Sequence, residues 1–366
     1  MSYMKIMHVI ARMNKGGTAR WIETLTIGLR EQNHEVILSA GNVGENEEED
    51  PSFMNLNGIR VDGLGRSISL IRDLKAIISV RKIIKTQSPQ LINTHTAKAG
   101  VIGRIASLGL EVKVVHTFHG HLLYGYFSKP VTNLIIILER ILSLMTDFYI
   151  SVGEKVRDEL VAAHIGNAFK FEVIYPGIKL SEVKSKEVVR EKYSLNAHDF
   201  VVGWLGRLVP IKRPDILEEI AYYLPEAKFL VGGSGESSKT LQTNAPKNVV
   251  FVGWVNPEEF WPACDIALLT SDNEGLPTSL VEAAQVGLPI VARNVGSVRE
   301  VFEDNSGGFL FSDAKGAVQK ISILIENKRI RDEFGINSQN FALLQFSQKK
   351  FIEKHVNLYK RIIQLS

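Results

Sequence analysis

The run Thr270-Ser-Asp-Asn-Glu274-Gly-Leu-Pro-Thr-Ser-Leu-Val-Glu282 places two carboxylates on either side of a chain reversal. The residues before it, Asp265 to Thr270, are short, apolar and bounded by polar groups, as in a parallel-sheet strand. Gly275 allows close backbone approach, Leu276 is the one apolar residue of the elbow, and Pro277 suits a first helical turn. From Thr278 the apolar residues Leu280, Val281, Ala283, Ala284 and Val286 follow helical spacing, and Gly287 ends the pattern. Glu274 is therefore expected in the loop at a strand's C-terminal end and Glu282 on the following helix. That edge of an open α/β sheet is where ligands bind. Either acid alone would read as solvated surface; the pair around Gly-Leu-Pro reads as a site.

Cations stand at a second junction, Gly203-Trp-Leu-Gly206-Arg207-Leu-Val-Pro-Ile-Lys212-Arg213-Pro214. Arg207 follows a strand and Lys212 precedes a helix, which makes a diphosphate clamp or an ordinary charged surface. Gly232-Gly233-Ser-Gly235 resembles half of a nucleotide loop, and Gly253-Trp254 ends the next strand with backbone that can face a base. Core strands and tight turns are the plain alternatives. Near the N-terminus, Gly16 and Gly17 lie between a strand and a helix, where backbone N–H groups can approach an anion, with Lys15 and Arg20 beside them. For a lone Gly-Gly a tight turn is the better reading. No Gly-Lys-Ser/Thr follows, so this is not a P-loop, and the dinucleotide G-x-G-x-x-G spacing is absent.

Metal chemistry has little support. His116, His119 and His121 are close in sequence, but strand alternation separates their side chains. His119 falls in the loop after a strand, where an imidazole suits hydrogen bonding to a polar substrate. No Asp-x-Asp pair is present to chelate a divalent ion on a sugar nucleotide. The single cysteine, Cys264, excludes an internal disulfide and a cysteine zinc site, and fits a reducing compartment.

The positioning elements need two cores, since 366 residues exceed one ordinary domain. The 45% apolar and 23% charged fractions are those of a soluble globular protein, and a net charge of +3 gives no case for nucleic acid. Strand, glycine turn, helix and strand open the chain at 5–40; strand, helix and strand follow over 91–117, further strands fall at 148–150 and 171–174, and the alternation restarts at 200 after a charged interdomain segment with some helix over 179–198. A short helix is expected at 257–263, a helix from 315, and a last helix over 348–363. Residues 131–150 are the most hydrophobic stretch. They contain Glu139, Arg140 and Asp147, which argues for a buried helix running into a strand and against a membrane span. Residues 68–85 alternate apolar Ile71, Leu74, Ile78 and Ile83 with Arg72, Lys75, Arg81, Lys82 and Lys85, a pattern suited to an anionic membrane surface or to an ordinary surface helix. No signal peptide is visible.

Taken together these stretches resemble the retaining glycosyltransferases of family 4. The likeness covers nearly the whole chain, and its most specific parts are Glu274 to Glu282 and Gly206-Arg207 to Lys212-Arg213. It implies the GT-B fold, two Rossmann-like α/β domains facing across a cleft. Residues 1–178 would bind the acceptor, completed by a last helix at 346–366 that crosses back, and 179–345 would bind the nucleotide sugar. By the same resemblance Glu274 would bind hydroxyls of the donor sugar, with the backbone of Gly275, Leu276, Pro277 and Thr278 beside the sugar and phosphates. Glu282 would bind the ribose. Arg207 and Lys212 would neutralise the departing diphosphate, with Gly233, Gly235, Gly253 and Trp254 completing the nucleotide pocket. His119 would contact the donor sugar, and Gly16 and Gly17 would approach the phosphates. The implied enzyme is a metal-independent hexosyltransferase without a cofactor. Its implied partners are a nucleotide sugar, preferably a UDP-sugar, and a glycan or lipid-linked acceptor of envelope polysaccharide assembly, in the cytoplasm or at the inner face of the membrane. A GT-B sugar-nucleotide epimerase and a non-catalytic nucleotide-sugar binder are the alternatives. One departure stands out: Ala19 occupies the place where the commoner family form has an acid before Arg20.

Overall fold

The computed structural model describes residues 3–364 except 46, 66, 121, 122, 124–127 and 181, and omits the side chains of residues 239 and 244. In chain order the elements are β1 (Lys5–Ile10), α1 (Gly17–Glu31), β2 (Glu35–Ala40), α2 (Ser52–Asn55), β3 (Ile59–Arg60), α3 (Leu70–Gln87), β4 (Leu91–His95), α4 (Ala97–Ala106), β5 (Lys113–Phe118), α5 (Lys129–Leu142), β6 (Phe148–Ser151), α6 (Glu154–Ala162) and β7 (Phe171–Val173). A second series follows: α7 (Lys186–Lys192), β8 (Phe200–Leu205), α8 (Pro214–Tyr223), β9 (Ala227–Gly232), α9 (Ser238–Asn244), β10 (Val249–Gly253), β11 (Ile266–Leu269), α10 (Thr278–Gln285), β12 (Ile290–Arg293), β13 (Gly308–Phe311), α11 (Ala314–Glu326), α12 (Lys328–Gln345) and α13 (Gln348–Gln364). Two compact units result, residues 1–177 with 348–366, and 178–347.

The first unit is a parallel sheet in the order β3-β2-β1-β4-β5-β6-β7. The order reverses between β1 and β4, so their C-terminal ends lead into loops that diverge and leave room for a ligand. β1 and β4 are paired in register from Ile6 with Leu91 to Ile10 with His95. Helix α13 belongs to this unit. Its inward stripe of Phe351, Ile352, Val356, Tyr359 and Ile362 is buried, at about 1.5–3 kcal/mol per large side chain. It lies so close to α1 that a Cβ on Gly28 would meet Ile352 at 2.4 Å. Asn93 Nδ2 of β4 donates to the Tyr359 hydroxyl at 2.7 Å, which ties the last helix to the centre of the sheet.

The expectation of a buried helix over 131–147 is corrected. Helix α5 ends at Leu142, and only Glu139 and Leu142 of it are buried. Val131, Leu134, Ile137, Leu138 and Ile141 form an exposed stripe at helical spacing, with Leu134 66% accessible. The polar Glu139 is the inward residue, because it meets the buried Arg104 of α4 in a two-point ion pair at 2.8 and 2.9 Å. Hydrophobicity therefore misassigned the inward face of α5. The basic helix forms as α3, with Ala76, Val80 and Ile84 buried and Ile71, Leu74 and Ile78 exposed beside Arg72, Lys75, Lys82 and Lys85. No helix among the described residues is long and apolar enough to cross a membrane.

The second unit is a parallel sheet in the order β10-β9-β8-β11-β12-β13, which reverses between β8 and β11. Its core centres on Trp204, Phe229, Leu268 and Val291. The segment 257–263 is not an α-helix but two 3-10 turns, Pro257–Glu259 and Trp261–Ala263, each opened by a proline-containing first turn. The helical run from 315 divides at Asn327, whose side chain accepts from Ile330 N–H and caps α12. Helices α2, α6 and α9 and the two-residue β3 have no counterpart in the sequence reading.

Candidate active site

In the second unit the two predicted junctions are neighbours, because both leave the sheet at the β8/β11 reversal. Asp272 N–H donates to the Ile211 carbonyl at 2.8 Å, and Thr270 Oγ1 donates to the Lys212 carbonyl at 2.8 Å. Trp204 Nε1 in turn donates to Thr270 Oγ1 at 2.9 Å, so the strand core fixes the loop that carries Lys212. Arg213, at φ +49°, turns the chain into α8, and its guanidinium bonds Asp215 and Asp272. That pairing raises the Arg213 pKa further and lowers that of Asp215. Arg213 is thus a loop clamp, while Arg207 is exposed on the same loop.

Lys212 Nζ lies 2.6 Å from Glu274 Oε1, and Ser271 Oγ donates to the same oxygen at 2.6 Å. Glu274 is 7% exposed. Its other oxygen, Oε2, is not engaged by these two groups. A lysine ammonium has three N–H donors, and Glu274 takes one of Lys212's. The pair therefore leaves a carboxylate acceptor beside two cationic donors, which suits a polyhydroxylated ligand joined to an anion. Ser271 escaped the sequence reading, although a hydroxyl three residues before a loop Glu was a visible signal. Helix α10 starts at Thr278 without a side-chain cap or an acid in its first turn, so its N–H groups and dipole favour an anion. Glu282 is buried on α10.

The glycines of 232–235 serve the close approach of two loops. A Cβ on Gly233, at φ +123°, would meet the Gly206 carbonyl at 1.8 Å, and one on Gly235 would meet the Leu208 carbonyl at 2.2 Å. Gly206 N–H donates to Gly232 O and Leu208 N–H to Ser234 O, each at 3.0 Å. Gly253, at φ +71°, has open space where a Cβ would stand, and Trp254 beyond it is 59% exposed. Cys264 is buried with its sulfur against Gly203, and burial pushes its thiol pKa up, so it is no nucleophile.

In the first unit the Gly16-Gly17 loop follows β1 at the other sheet reversal. Gly16 has φ +150° and open space around its Cβ position, and it caps α1 without a side chain. Lys15 is ion-paired with Glu48, and Arg12 with Glu47 at 2.6 Å. The acidic residues 47–49 are thus held along the glycine loop, bridged at Asn14 and Glu49, and take up the charge of Arg12 and Lys15.

His119 sits just past β5, half-buried, with its ring edge-on to Trp21 at 5.2 Å. Its Nε2 is 2.9 Å from His95 Nδ1, and His95 Nε2 is 3.0 Å from His8 Nδ1. Burial lowers the pKa of His8 and of His119 to about 3, and that of His95 well below its ordinary value, so all three are neutral. His8 and His95 were missed. Each is a single imidazole in one of two adjacent central strands, and only the strand pairing brings them together. His116 points to the opposite face, bonded to Thr94 Oγ1 at 2.8 Å, and His121 lies outside the described residues. Among the described residues no group of three or more His, Cys, Asp or Glu is arranged to hold a metal.

Residues 15–182 match the family described as Glycosyltransferase Family 4, and residues 185–341 match Glycosyl transferases group 1. A UDP-Gal:alpha-D-GlcNAc-diphosphoundecaprenol alpha-1,3-galactosyltransferase of Escherichia coli is 28% identical over 324 residues, 82% of each chain. The capsular polysaccharide biosynthesis glycosyltransferase CapM of Staphylococcus aureus is 23% identical, covering 92% of this chain and 93% of its own. Among solved structures, Anabaena HepE in complex with UDP and glucose superposes with a TM-score of 0.81 at 21% identity, over 98% of this chain and 99% of its own.

Proposed function

The chain belongs to glycosyltransferase family 4 and has its GT-B fold, and we propose that it transfers a sugar from a UDP-sugar, with retention, to a lipid-linked glycan of a bacterial envelope polysaccharide. The observation that carries the reading is the Lys212–Glu274 pair at the β8/β11 reversal. Glu274 Oε2 accepts from sugar hydroxyls, while Lys212, Arg207 and the N–H groups of Gly275, Leu276 and Thr278 receive the diphosphate, with Pro277 setting the turn. Glu282 holds the ribose, and Gly233, Gly235, Gly253 and Trp254 frame the nucleotide. His119 contacts the donor sugar, and Gly16 and Gly17 meet the phosphates.

In the transfer step the bond from the anomeric carbon to the diphosphate oxygen breaks. The acceptor hydroxyl oxygen bonds to that carbon on the same face, and its proton passes to the departing diphosphate. Negative charge therefore develops where Lys212 and Arg207 stand, and fixed donors there lower the barrier without a metal. No protein nucleophile is needed, which agrees with a Glu274 already bonded to Lys212 and Ser271. Transfer is favoured over epimerisation because the named relatives above are glycosyltransferases.

The acceptor reading extends to the membrane. The exposed stripes of α3 and α5 belong to one helical layer, since Arg81 of α3 bonds the end of α4 and Arg104 of α4 bonds Glu139 of α5. Arg72, Lys75, Lys82 and Lys85 add positive charge to that layer, which suits an anionic inner leaflet. UDP release from UDP-galactose and UDP-glucose, with a diphosphoundecaprenol-linked GlcNAc acceptor in phosphatidylglycerol vesicles, tests both parts. The expected result is acceptor-dependent release that persists in EDTA, and co-sedimentation that is lost in Leu134→Glu/Leu138→Glu. Abolition of release by EDTA contradicts the metal-free step; unchanged sedimentation of the double variant contradicts the membrane contact.

A further inference from the structure

The sheet of the first unit brings three imidazoles into a line. His8 pairs with Asn93 across β1 and β4, and His95 pairs with Thr117 across β4 and β5. Side chains alternate along a strand, so His8, Asn93, His95, Thr117 and then His119 fall on one face. That face is covered by Trp21 of α1 and by His355 and Tyr359 of α13. Thr117 Oγ1 donates to Asn93 Oδ1 at 2.9 Å, which holds the neighbouring strands in this register. The line runs from the buried core at His8, through the fully buried His95, to the half-buried His119.

A neutral imidazole carries one N–H and one bare nitrogen. Three in series can therefore be ordered in two ways only. The contacts use His8 Nδ1, both nitrogens of His95 and His119 Nε2. In the first order His8 Nδ1–H donates to His95 Nε2, and His95 Nδ1–H donates to His119 Nε2. The proton of His119 is then on Nδ1, at the open end. In the second order every proton moves to the other nitrogen, so His8 Nε2 carries an N–H and His119 Nδ1 is bare.

His8 Nε2 decides between them. It is buried and has no hydrogen-bond partner among the described residues. The second order would leave an N–H there, and orphaned buried N–H groups are rarer than orphaned acceptors. His355 does not rescue the second order. Its Nδ1 is held by the Phe351 carbonyl at 2.8 Å, and its own Nε2 is likewise without a partner, so the two do not bond one another.

We propose that His95 and His8 are positioning residues that hold His119 as its Nδ1–H tautomer, so that it offers the donor sugar a hydrogen-bond donor and cannot act as a base through Nδ1. This rests on the reading that His119 touches the donor sugar. The tautomer itself does not depend on that reading. An Nδ1–H is complementary to an oxygen lone pair, such as a sugar hydroxyl or the bridging oxygen that leaves with the diphosphate. The edge-on Trp21 ring restricts rotation of the imidazole and keeps that N–H in place.

Long-range 1H–15N spectra of the full chain with 15N-labelled histidine, at neutral pH and without ligand, test the tautomer directly. The His119 signals are identified by their loss in His119→Ala. The expected spectrum shows His119 protonated at Nδ1 alone. In His95→Phe, which keeps a ring but removes both bonds, His119 is expected to populate both tautomers. The same variant should lose about tenfold in kcat with little change in donor KM, as when an aligned hydrogen bond is loosened. His119 protonated at Nε2 in the unaltered protein, or an unchanged His119 spectrum in His95→Phe, overturns the proposal. Full activity of His119→Ala together with the Nδ1–H spectrum would instead remove the donor-sugar contact and leave the tautomer lock standing.

Discussion

Lys212→Ala is expected to lower kcat for sugar transfer by about 10³-fold, the scale seen when a fixed donor to developing negative charge is removed. Two losses combine. The diphosphate loses one of its two loop cations, leaving Arg207 alone, since Arg213 is bonded to Asp215 and Asp272. Glu274, nearly buried, also loses its counter-ion at 2.6 Å and keeps only Ser271 on that oxygen. Lys212→Arg separates the two effects. It retains the charge but replaces a point donor by a planar fork, so partial activity is expected. Kinetic constants for both variants, with thermal melting to confirm folding, check this. Near-normal kcat in Lys212→Ala would remove Lys212 from the diphosphate.

The largest effect on stability is expected from Glu139→Ala. The Arg104–Glu139 pair is completely buried, and Arg104 Nε also donates to the Gly100 carbonyl at 2.8 Å. Removing the carboxylate leaves a guanidinium in the core, at a cost of about 3–5 kcal/mol and a fall in melting temperature of roughly 10 °C. Replacing both partners, as Arg104→Met with Glu139→Leu, should recover most of that loss, because no buried charge then remains. A double variant no more stable than Glu139→Ala would show that the pair is not the origin of the effect. The same ion pair sets the outward face of α5, so the single variant should also weaken vesicle binding.

The sequence reading succeeded where a local pattern and a tertiary need coincide. Ile266 to Gly287 is strand, elbow and helix both in its spacing and in the structure, because the apolar run, the Gly-Leu-Pro turn and the helical spacing that follows each match one local backbone. The strand–helix alternation likewise made two parallel sheets legible. The strand order was not, since it depends on which strands pair, and the reversals that bring Lys212 to Glu274 across 62 residues follow from that order. Helix α5 was misread because its inward residue is a charged one paired with a distant arginine. His8 and His95 were invisible for a related reason. A lone histidine in a strand looks like core until strand register lines it up with another. The acidic run at 47–49 carries no spacing that points to a partner, yet Glu47 pairs with Arg12 and Glu48 with Lys15 beside the glycine loop.

The central claim is that the β8/β11 reversal of the second unit binds a uridine nucleotide. Calorimetric titration of UDP into the full chain, in EDTA, tests it most directly, with Glu282→Ala as the comparison. Binding at one site per chain is predicted, with affinity at least about tenfold weaker in Glu282→Ala, the loss of a charge-assisted hydrogen bond to the ribose. No binding of UDP, or equal affinity in Glu282→Ala, would contradict it.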